Sequence, residues 1–372
     1  MSEHENGNQI GNNFLQQYNE VKQKFVQKRP NILVCGYTGS GKSSLLQAIL
    51  GDEIVPDDKI GSGSPRTPGF DKYENNKICI WDSKGLNPGE TEEEFTATTR
   101  EFIRRQQSNT EDLDNHIHLV WYTIQGSGGR VTDCDTNLIK NVFSPDNVIV
   151  VITKRDLMRP RQLDDLLDVL KQAGIPESRI IATCDKEGGS IGCRELVDLT
   201  HQMLPEAYKA AWISAQQVNL EMQLQAVRDK RSLAKKIITT ATATASGIGL
   251  IPIPLSDATL LLPTQMGMIA GLAALYEMDR AVLGNIVLPF VTQCAGIVTA
   301  TSLTKLIPGL GSLINAGVAG TLTGAMGFFV MTNFEDIAMK RIKHEPVPEF
   351  GLDFDTFRRF YQDYIKGNFN GN

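Results

Sequence analysis

The chain has 372 residues, a formal net charge of −6, 41% hydrophobic and 22% charged residues. That length suits about two domains, and an acidic balance with no basic stripe gives no footprint for nucleic acid, so none is expected as a partner. Six cysteines form no C-x-x-C pair and the five histidines no evident ligand pair, which argues against a zinc site or a disulfide framework. The polar N-terminus lacks a signal-peptide pattern, so a reducing, cytoplasmic setting is expected.

Residues 1–13 are polar and read as disordered. From Phe14 to Val26 the apolar residues recur at helical spacing, with Phe14, Tyr18, Val21 and Phe25 on one side. This N-terminal tail and helix, residues 1–29, is suited to pack on helices of the C-terminal half. Residues 30–206 then alternate strand and helix, the pattern of an α/β domain with a mostly parallel sheet and helices on both faces.

The first strand, Ile32-Leu33-Val34-Cys35, leads into Gly36-Tyr37-Thr38-Gly39-Ser40-Gly41-Lys42-Ser43, and a helix-like run follows from Ser44 to Leu50. G-x-x-x-x-G-K-[ST] between a strand and a helix is a phosphate-binding loop. Its glycines let successive backbone N–H groups from Gly36 to Ser44 turn inward on an anion, and the helix adds its positive N-terminal end. Lys42 is expected to reach the terminal phosphates and Ser43 to ligate Mg²⁺.

A flexible stretch, Gly61 to Ser64, precedes Pro65-Arg66-Thr67-Pro68. Thr67 is the candidate switch threonine and a second Mg²⁺ ligand. Arg66 is a candidate for acting on its own nucleotide. Lys77 to Trp81 reads as a buried strand running into Asp82-Ser83-Lys84-Gly85. In this D-x-x-G pattern the carboxylate of Asp82 is expected to bind Mg²⁺, directly or through water, and the Gly85 N–H to sense the γ-phosphate. Helices are expected over Thr91–Ser108, Arg161–Ala173 and Ile191–Met203.

The strand His118–Ile124 is followed by Gly128-Gly129-Arg130-Val131-Thr132-Asp133-Cys134-Asp135. Arg130 is the second candidate for stabilising transition-state charge; the stretch reads equally as an exposed charged loop. Asn147 to Ile152 forms a further apolar strand, ending in Thr153-Lys154-Arg155-Asp156. This fits [NT]-K-x-D, in which Asp156 accepts two guanine N–H groups and the Lys154 stem lies along the base. Adenine offers no such pair of donors. The loop at Thr183-Cys184-Asp185 is expected beside the base, although it lacks the usual Ser-Ala pair.

Each motif lies at the C-terminal end of a strand, where open α/β sheets bind ligands. Their order and setting resemble the translation-factor-related P-loop GTPases over residues 30–205. Leu86 stands where a water-positioning Gln would follow the D-x-x-G glycine. In this the chain resembles Era-like, septin-like, dynamin-like and immunity-related GTPases, and G-x-T-G-x-G-K-S-S is similar to septin, immunity-related and AIG-type loops. The resemblance implies a GTP/GDP-binding G domain that needs Mg²⁺ and hydrolyses GTP slowly. Gly39 stands where potassium-dependent members carry Asn. An Arg-containing stretch like 130–135 occurs in the AIG-type and chloroplast-import members, which implies a GTP-dependent homodimer.

From Ala207 the alternation stops, and residues 207–372 are expected to form an all-α domain. Glu206 to Lys236 reads as one long charged helix. Residues 237–256, 258–276, 281–304 and 306–334 carry no charge. Two echoing segments, Gly249 to Ser256 and Lys305 to Ser312, place Pro-rich turns between apolar helices and suggest two hairpins. A span needs roughly 20 apolar residues, but Pro, Gly and Thr interrupt these runs. A helical output domain attached peripherally to a membrane surface is therefore the expectation. A structural GTP-binding module with negligible turnover and an integral membrane protein with a regulatory G domain are the alternatives. Phe354 to Ile365 has aromatics at helical spacing and suits core packing.

Overall fold

The computed structural model describes residues 3–25, 28–56, 69–86, 89–108, 113–128, 130–143, 145–159, 161–184, 191–248, 257–297, 316–347 and 352–367. The chain forms two compact units, Gln27–Met222 and Met1–Val26 with Gln223–Asn372. The first helix, α1 (Glu3–Lys24), belongs to the second of these.

The unit Gln27–Met222 is built on a six-stranded sheet of β1 (Asn31–Gly36), β2 (Phe70–Glu74), β3 (Cys79–Ser83), β4 (Leu119–Gln125), β5 (Val148–Thr153) and β6 (Ile180–Ala182). The order is β2-β3-β1-β4-β5-β6, and every pairing is parallel except β2 with β3. β1, β3 and β5 are buried at every position, as parallel strands covered on both faces must be. On one face Ile32, Val34, Trp121 and Val151 pack with α2 (Lys42–Leu50), α6 (Cys193–Met203) and α7 (Glu206–Ala215). On the other, Leu33, Trp81, Tyr122 and Val150 pack with α3 (Glu92–Gln106), α4 (Asp133–Asn137) and α5 (Gln162–Gln172). This is the expected G-domain architecture. β2 has no alternating apolar signature: its Lys72–Glu74 ion pair (2.9 Å) and the Lys72 ammonium over the Trp81 ring mark a polar edge strand.

The helix read over Glu206–Lys236 is two helices. α7 ends at Ala215 and α8 (Leu220–Ile248) begins after a four-residue break. The buried Gln216 side chain turns the chain there: its Oε1 accepts from the N–H of Val218 (2.8 Å) and Asn219 (2.7 Å). Asn219 then caps α8 by accepting from the Met222 N–H, and its amide donates to Asp198 at 2.6 Å. These local bonds compete with helix continuation. Trp212 is fully buried against Trp121 in the sheet core, so α7 is part of the sheet-containing unit and the divide falls at Met222, not at Glu206.

The second unit joins α1 to α8, α9 (Asp257–Leu275), α10 (Leu288–Ile297, after helical turns from Arg280), α11 (Ala316–Ile342) and α12 (Phe354–Ile365). The polar start expected to be disordered is helical from Glu3. The reason is tertiary: Ile10, Phe14, Tyr18 and Val21 face the helical core, and the Tyr18 hydroxyl donates to the Met278 carbonyl at 2.9 Å. α11 approaches α8 and α9 closely at Gly327, where a Cβ would lie 2.8 Å from Ile238 and Met268. Among the described residues no helix is long and apolar enough to cross a membrane. The two Pro-rich turns, Gly249 to Ser256 and Lys305 to Ser312, lie outside the described residues.

One ion pair crosses this core. Arg231 Nε on α8 donates to Glu335 Oε2 on α11 at 2.7 Å, and Glu335 is 4% exposed. Its Oε1 and the nearby Tyr276 hydroxyl are buried with no hydrogen-bond partner. Removing one member of such a pair strands a buried charge. Arg231→Met is expected to lower stability by about 2 to 3 kcal/mol, and Glu335→Gln in the same chain should restore most of that. Denaturant unfolding of the full chain, followed by helical circular dichroism, measures both; no recovery in the double variant would refute the stranded-charge account.

Candidate functional site

The site is assembled at the C-terminal ends of β1, β3, β4 and β5. Gly36, Gly39 and Gly41 all have positive φ (148°, 79° and 86°). These angles curl the backbone into a loop that a side-chain-bearing residue would strain. A Cβ on Gly36 would collide with Thr123 of β4, whereas one on Gly39 would meet nothing within 4 Å. The loop is therefore pressed against the sheet below and open above. Underneath, Ser40 Oγ lies 2.7 Å from Thr123 Oγ1, which donates to the Cys35 carbonyl at 3.1 Å.

Lys42 and Ser43 open α2. Lys42 is 6% exposed, and its ammonium donates to the carbonyls of Gly36 (3.2 Å) and Tyr37 (2.9 Å). Burial lowers its pKa, against the opposing pull of Asp82. Ser43 Oγ donates to Asp82 Oδ2 at 2.9 Å. Asp82 is pushed up to about 6 by burial, with Lys42 and the Ser43 hydroxyl acting the other way. Its Oδ1 is buried and has no partner among the described residues. A buried carboxylate oxygen with nothing to bind, beside a serine hydroxyl, fits a hard cation. Ser43 and Asp82 are the residues that would hold Mg²⁺, which characteristically takes one or two carboxylates and completes its shell with phosphate and water.

The turn after β3 lies on the phosphate loop itself. Gly85 has φ 81°, and a Cβ there would be 2.5 Å from the Thr38 nitrogen and 2.7 Å from the Gly36 carbonyl oxygen. Thr38 Oγ1 donates to the Lys84 carbonyl at 3.2 Å. Leu86, the next residue, is half-buried against the sheet core. Thr67 and Arg66 lie outside the described residues, as does Gly129. Arg130 is described and exposed.

β5 supplies the other rim. Thr153 is buried, and its hydroxyl donates to the Ser40 carbonyl at 2.6 Å. Lys154 adopts a left-handed conformation (φ 53°), and its ammonium reaches across to the Gly39 carbonyl at 2.8 Å. Its stem so spans from the β5 end to the phosphate loop. Asp156 follows on an exposed one-turn helix. The Arg155 N–H donates to the Thr183 carbonyl at 3.0 Å, and the Thr183 N–H to Ile152 at 2.7 Å, so the 153–156 and 183–184 turns lie side by side. The Cys184 side chain is buried and its N–H donates to Ile191, so it offers backbone, not a thiol, to this rim. Asp185 lies outside the described residues.

Sequence reading did not single out Thr123 or Glu92 as parts of this region, and it took Thr132 and Asp135 only as members of the Arg130 stretch. Tyr37, counted above for its backbone, sends its hydroxyl to Glu92 Oε1 (2.6 Å) and to within 3.0 Å of Thr132 Oγ1. Thr132 and Asp135 form a capping box that starts α4. That T-x-x-D spacing was legible, since it is a known helix-start pattern; the contact to Tyr37 was not.

Sequence comparison with known proteins agrees with the motifs. The sequence pattern of a family described as 50S ribosome-binding GTPase matches residues 31–154. The chain is 27% identical over 170 residues to Septin CDC11 of Candida albicans, covering 38% of this chain and 42% of the septin. It is 29% identical over 149 residues to Magnetosome membrane protein 22 of Magnetospirillum gryphiswaldense, covering 36% of this chain and 70% of that one. A crystal structure of Toc33 from Arabidopsis thaliana, a dimerization-deficient mutant, aligns with 14% identity and TM-score 0.32 over 54% of this chain and 91% of the other. The match spans less than half of the septin's own length. Phosphate loop, D-x-x-G turn and T-K-x-D turn converge on one edge of the sheet, and over residues 31–154 the chain matches the pattern of a P-loop GTPase domain.

Proposed function

We propose that this chain is a guanine-nucleotide switch that binds GTP and GDP with Mg²⁺, hydrolyses GTP slowly and drives the helical unit as its output. The observation that carries the reading is the convergence of Lys42, Ser43 and Asp82 at one end of the site with Lys154 and the Asp156 turn at the other. Backbone N–H groups of the 36–44 loop, together with Lys42, would neutralise phosphate oxygens. Bound at Ser43 and Asp82, Mg²⁺ supplies further neutralisation of the phosphate charge. Gly85, packed against Thr38, would sense a γ-phosphate through its N–H. Asp156 would accept the two guanine N–H groups and Lys154 would cover the base. The sequence presents no protein base for the attacking water. Thr67 belongs to this proposal as switch threonine and Mg²⁺ ligand.

Within the GTPase class we read the chain as Era-like or immunity-related-like. Pairing across the nucleotide through Arg130 fits its exposure and its neighbouring Gly128. A guanidinium bonds two phosphate oxygens at once and stabilises charge that develops in the transition state. Peripheral attachment of the helical unit to a membrane rests on the uncharged runs between residues 237 and 334.

Calorimetry should find GTP bound at least about 100-fold more tightly than ATP, since a site built to hydrogen-bond one edge rejects an analogue that lacks it. Asp156→Asn should transfer the preference to xanthine nucleotides, and Lys42→Ala should abolish most triphosphate affinity. Equal affinity for ATP and GTP would refute the guanine assignment.

Multiple-turnover phosphate release should run on the order of 10⁻³ s⁻¹ or a few-fold faster, the scale of unassisted switch GTPases. Leu86 packs into the core and does not orient water, so Leu86→Ala should leave that rate within about tenfold, equivalent to less than 1.4 kcal/mol. No release at all above the background would favour the structural-module reading; a large loss in Leu86→Ala would make Leu86 catalytic.

Specific activity should rise with protein concentration, because a trans arginine acts only in the dimer. Arg130→Ala should flatten that rise and weaken GTP-dependent dimerisation. Activity per molecule that is constant from dilute to concentrated protein excludes the trans role and moves attention to Arg66.

A further inference from the structure

One side chain of the phosphate loop, Tyr37, reaches away from the nucleotide side to the helices beyond it. Tyr37 keeps its backbone in the loop, where its carbonyl accepts from Lys42 and its carbonyl carbon lies beneath Gly85. Its hydroxyl reaches outward to two other elements at once. It donates to Glu92 Oε1 at 2.6 Å, at the first residue of α3, and lies 3.0 Å from Thr132 Oγ1, the residue that caps α4. The short distance to a carboxylate is that of a charge-assisted bond. Burial and the Glu92 carboxylate both hold the phenol well above its ordinary pKa, so it stays a neutral donor at working pH.

The two helix starts also touch one another. Cys134 Sγ lies 3.6 Å from Thr96 Oγ1 and contacts the Glu92 carbonyl. α4 is anchored independently to the sheet: Asp135, 1% exposed, accepts from the Thr132 N–H (2.7 Å) and the Tyr122 hydroxyl of β4 (2.5 Å), and the single Thr132 hydroxyl proton, with the Asp135 carboxylate 3.1 Å away as its other acceptor, is available to the Tyr37 oxygen. The start of α4 so has a permanent tie to β4 and a second tie, through Tyr37, to the phosphate loop. Arg130 lies two residues before Thr132, and α3 follows the Asp82–Gly85 turn.

We propose that Tyr37 is a positioning residue: its hydroxyl couples the phosphate loop to the starts of α3 and α4, so that the nucleotide's state sets the position of the Arg130 loop. The proposal rests on the switch reading above. Any shift of the loop against the Gly85 turn moves the Tyr37 backbone, and the rigid ring carries that shift to Glu92 and Thr132. Tyr37→Phe keeps the ring and removes only the hydroxyl. The Tyr122–Asp135–Thr132 anchor survives in that variant, so α4 stays folded and only the second tie is lost.

Amide hydrogen exchange on the full chain tests this, with Mg²⁺ and either GDP or a non-hydrolysable GTP analogue at saturation. In the wild type the two nucleotides should give different exchange in peptides covering 36–50, 89–106 and 126–137. Tyr37→Phe should cut the difference over 126–137 by at least half and retain it over 36–50. Glu92→Gln, which keeps an acceptor oxygen, should retain the 126–137 response, and Glu92→Ala should reduce it. A full wild-type response over 126–137 in Tyr37→Phe overturns the proposal. So does loss of the response over 36–50 in that variant, which would mean a binding defect, not lost coupling. A wild-type response over 36–50 with none over 126–137 sinks the coupling alone. No response in any peptide of the wild type sinks the switch reading and the coupling together.

Discussion

The constraint on which the site depends is the closeness of two backbone segments, the loop after β1 and the turn after β3. No side chain fits between them: a Cβ on Gly85 would fall 2.5 Å from the Thr38 nitrogen. That contact places the residues that would sense a γ-phosphate directly on the residues that would hold it. It is possible because β1 and β3 are adjacent and parallel, with Val34 in register with Asp82. Sheet pairing brings both strand ends to one edge, and glycine removes the last steric barrier. Gly36, pressed on Thr123 of β4, extends the same logic to the other side of the loop.

A second consequence concerns charge. Lys42 and Asp82 are both buried, and their surroundings push each toward its neutral form. An apolar fold has no use for such a pair, and an unpartnered Asp82 Oδ1 costs stability unless something charged arrives. Polar strain of this kind, gathered in a glycine-lined cleft, is where binding chemistry is found. The helical unit also buries a carboxylate, Glu335, but meets it with the Arg231 guanidinium from a neighbouring helix. Among the described residues each carboxylate keeps one buried oxygen without a partner, but Glu335 is met by a guanidinium and Asp82 only by a serine hydroxyl; the difference separates a structural tie from a binding site.

The base-side rim follows from β5. Its last residue, Thr153, is spent on the phosphate loop through the Ser40 carbonyl, and Lys154 turns left-handed to reach Gly39. Two consecutive residues so lock the T-K-x-D turn to the phosphate loop, and the Arg155–Thr183 backbone bond locks it to the next turn. Asp156 is left facing outward on a short helix whose position is set by its neighbours.

Four strands, β1, β3, β4 and β5, four helices, α2, α3, α5 and α6, and the three nucleotide motifs were legible from the chain alone, because each is written in local terms. Apolar runs mark β1, β4 and β5, glycines mark the loop, and the T-x-x-E spacing of Thr91 and Glu94 marks the start of α3. Contacts between distant residues were not legible. β2 is polar and becomes a strand only by pairing with β3; α1 is helical through its polar beginning only because Ile10 and Phe14 meet a core made two hundred residues later. The break after Ala215 depends on what Gln216 and Asn219 find around them. Tyr37 reads as a neutral filler in a phosphate loop, and only the folded chain brings Glu92 and Thr132 to its hydroxyl. Local pattern determines which residues turn, pair and cap; which side chains meet across the sequence is decided by packing, since a hydrogen bond needs its two atoms within about 3 Å and nothing in the order of residues states that distance.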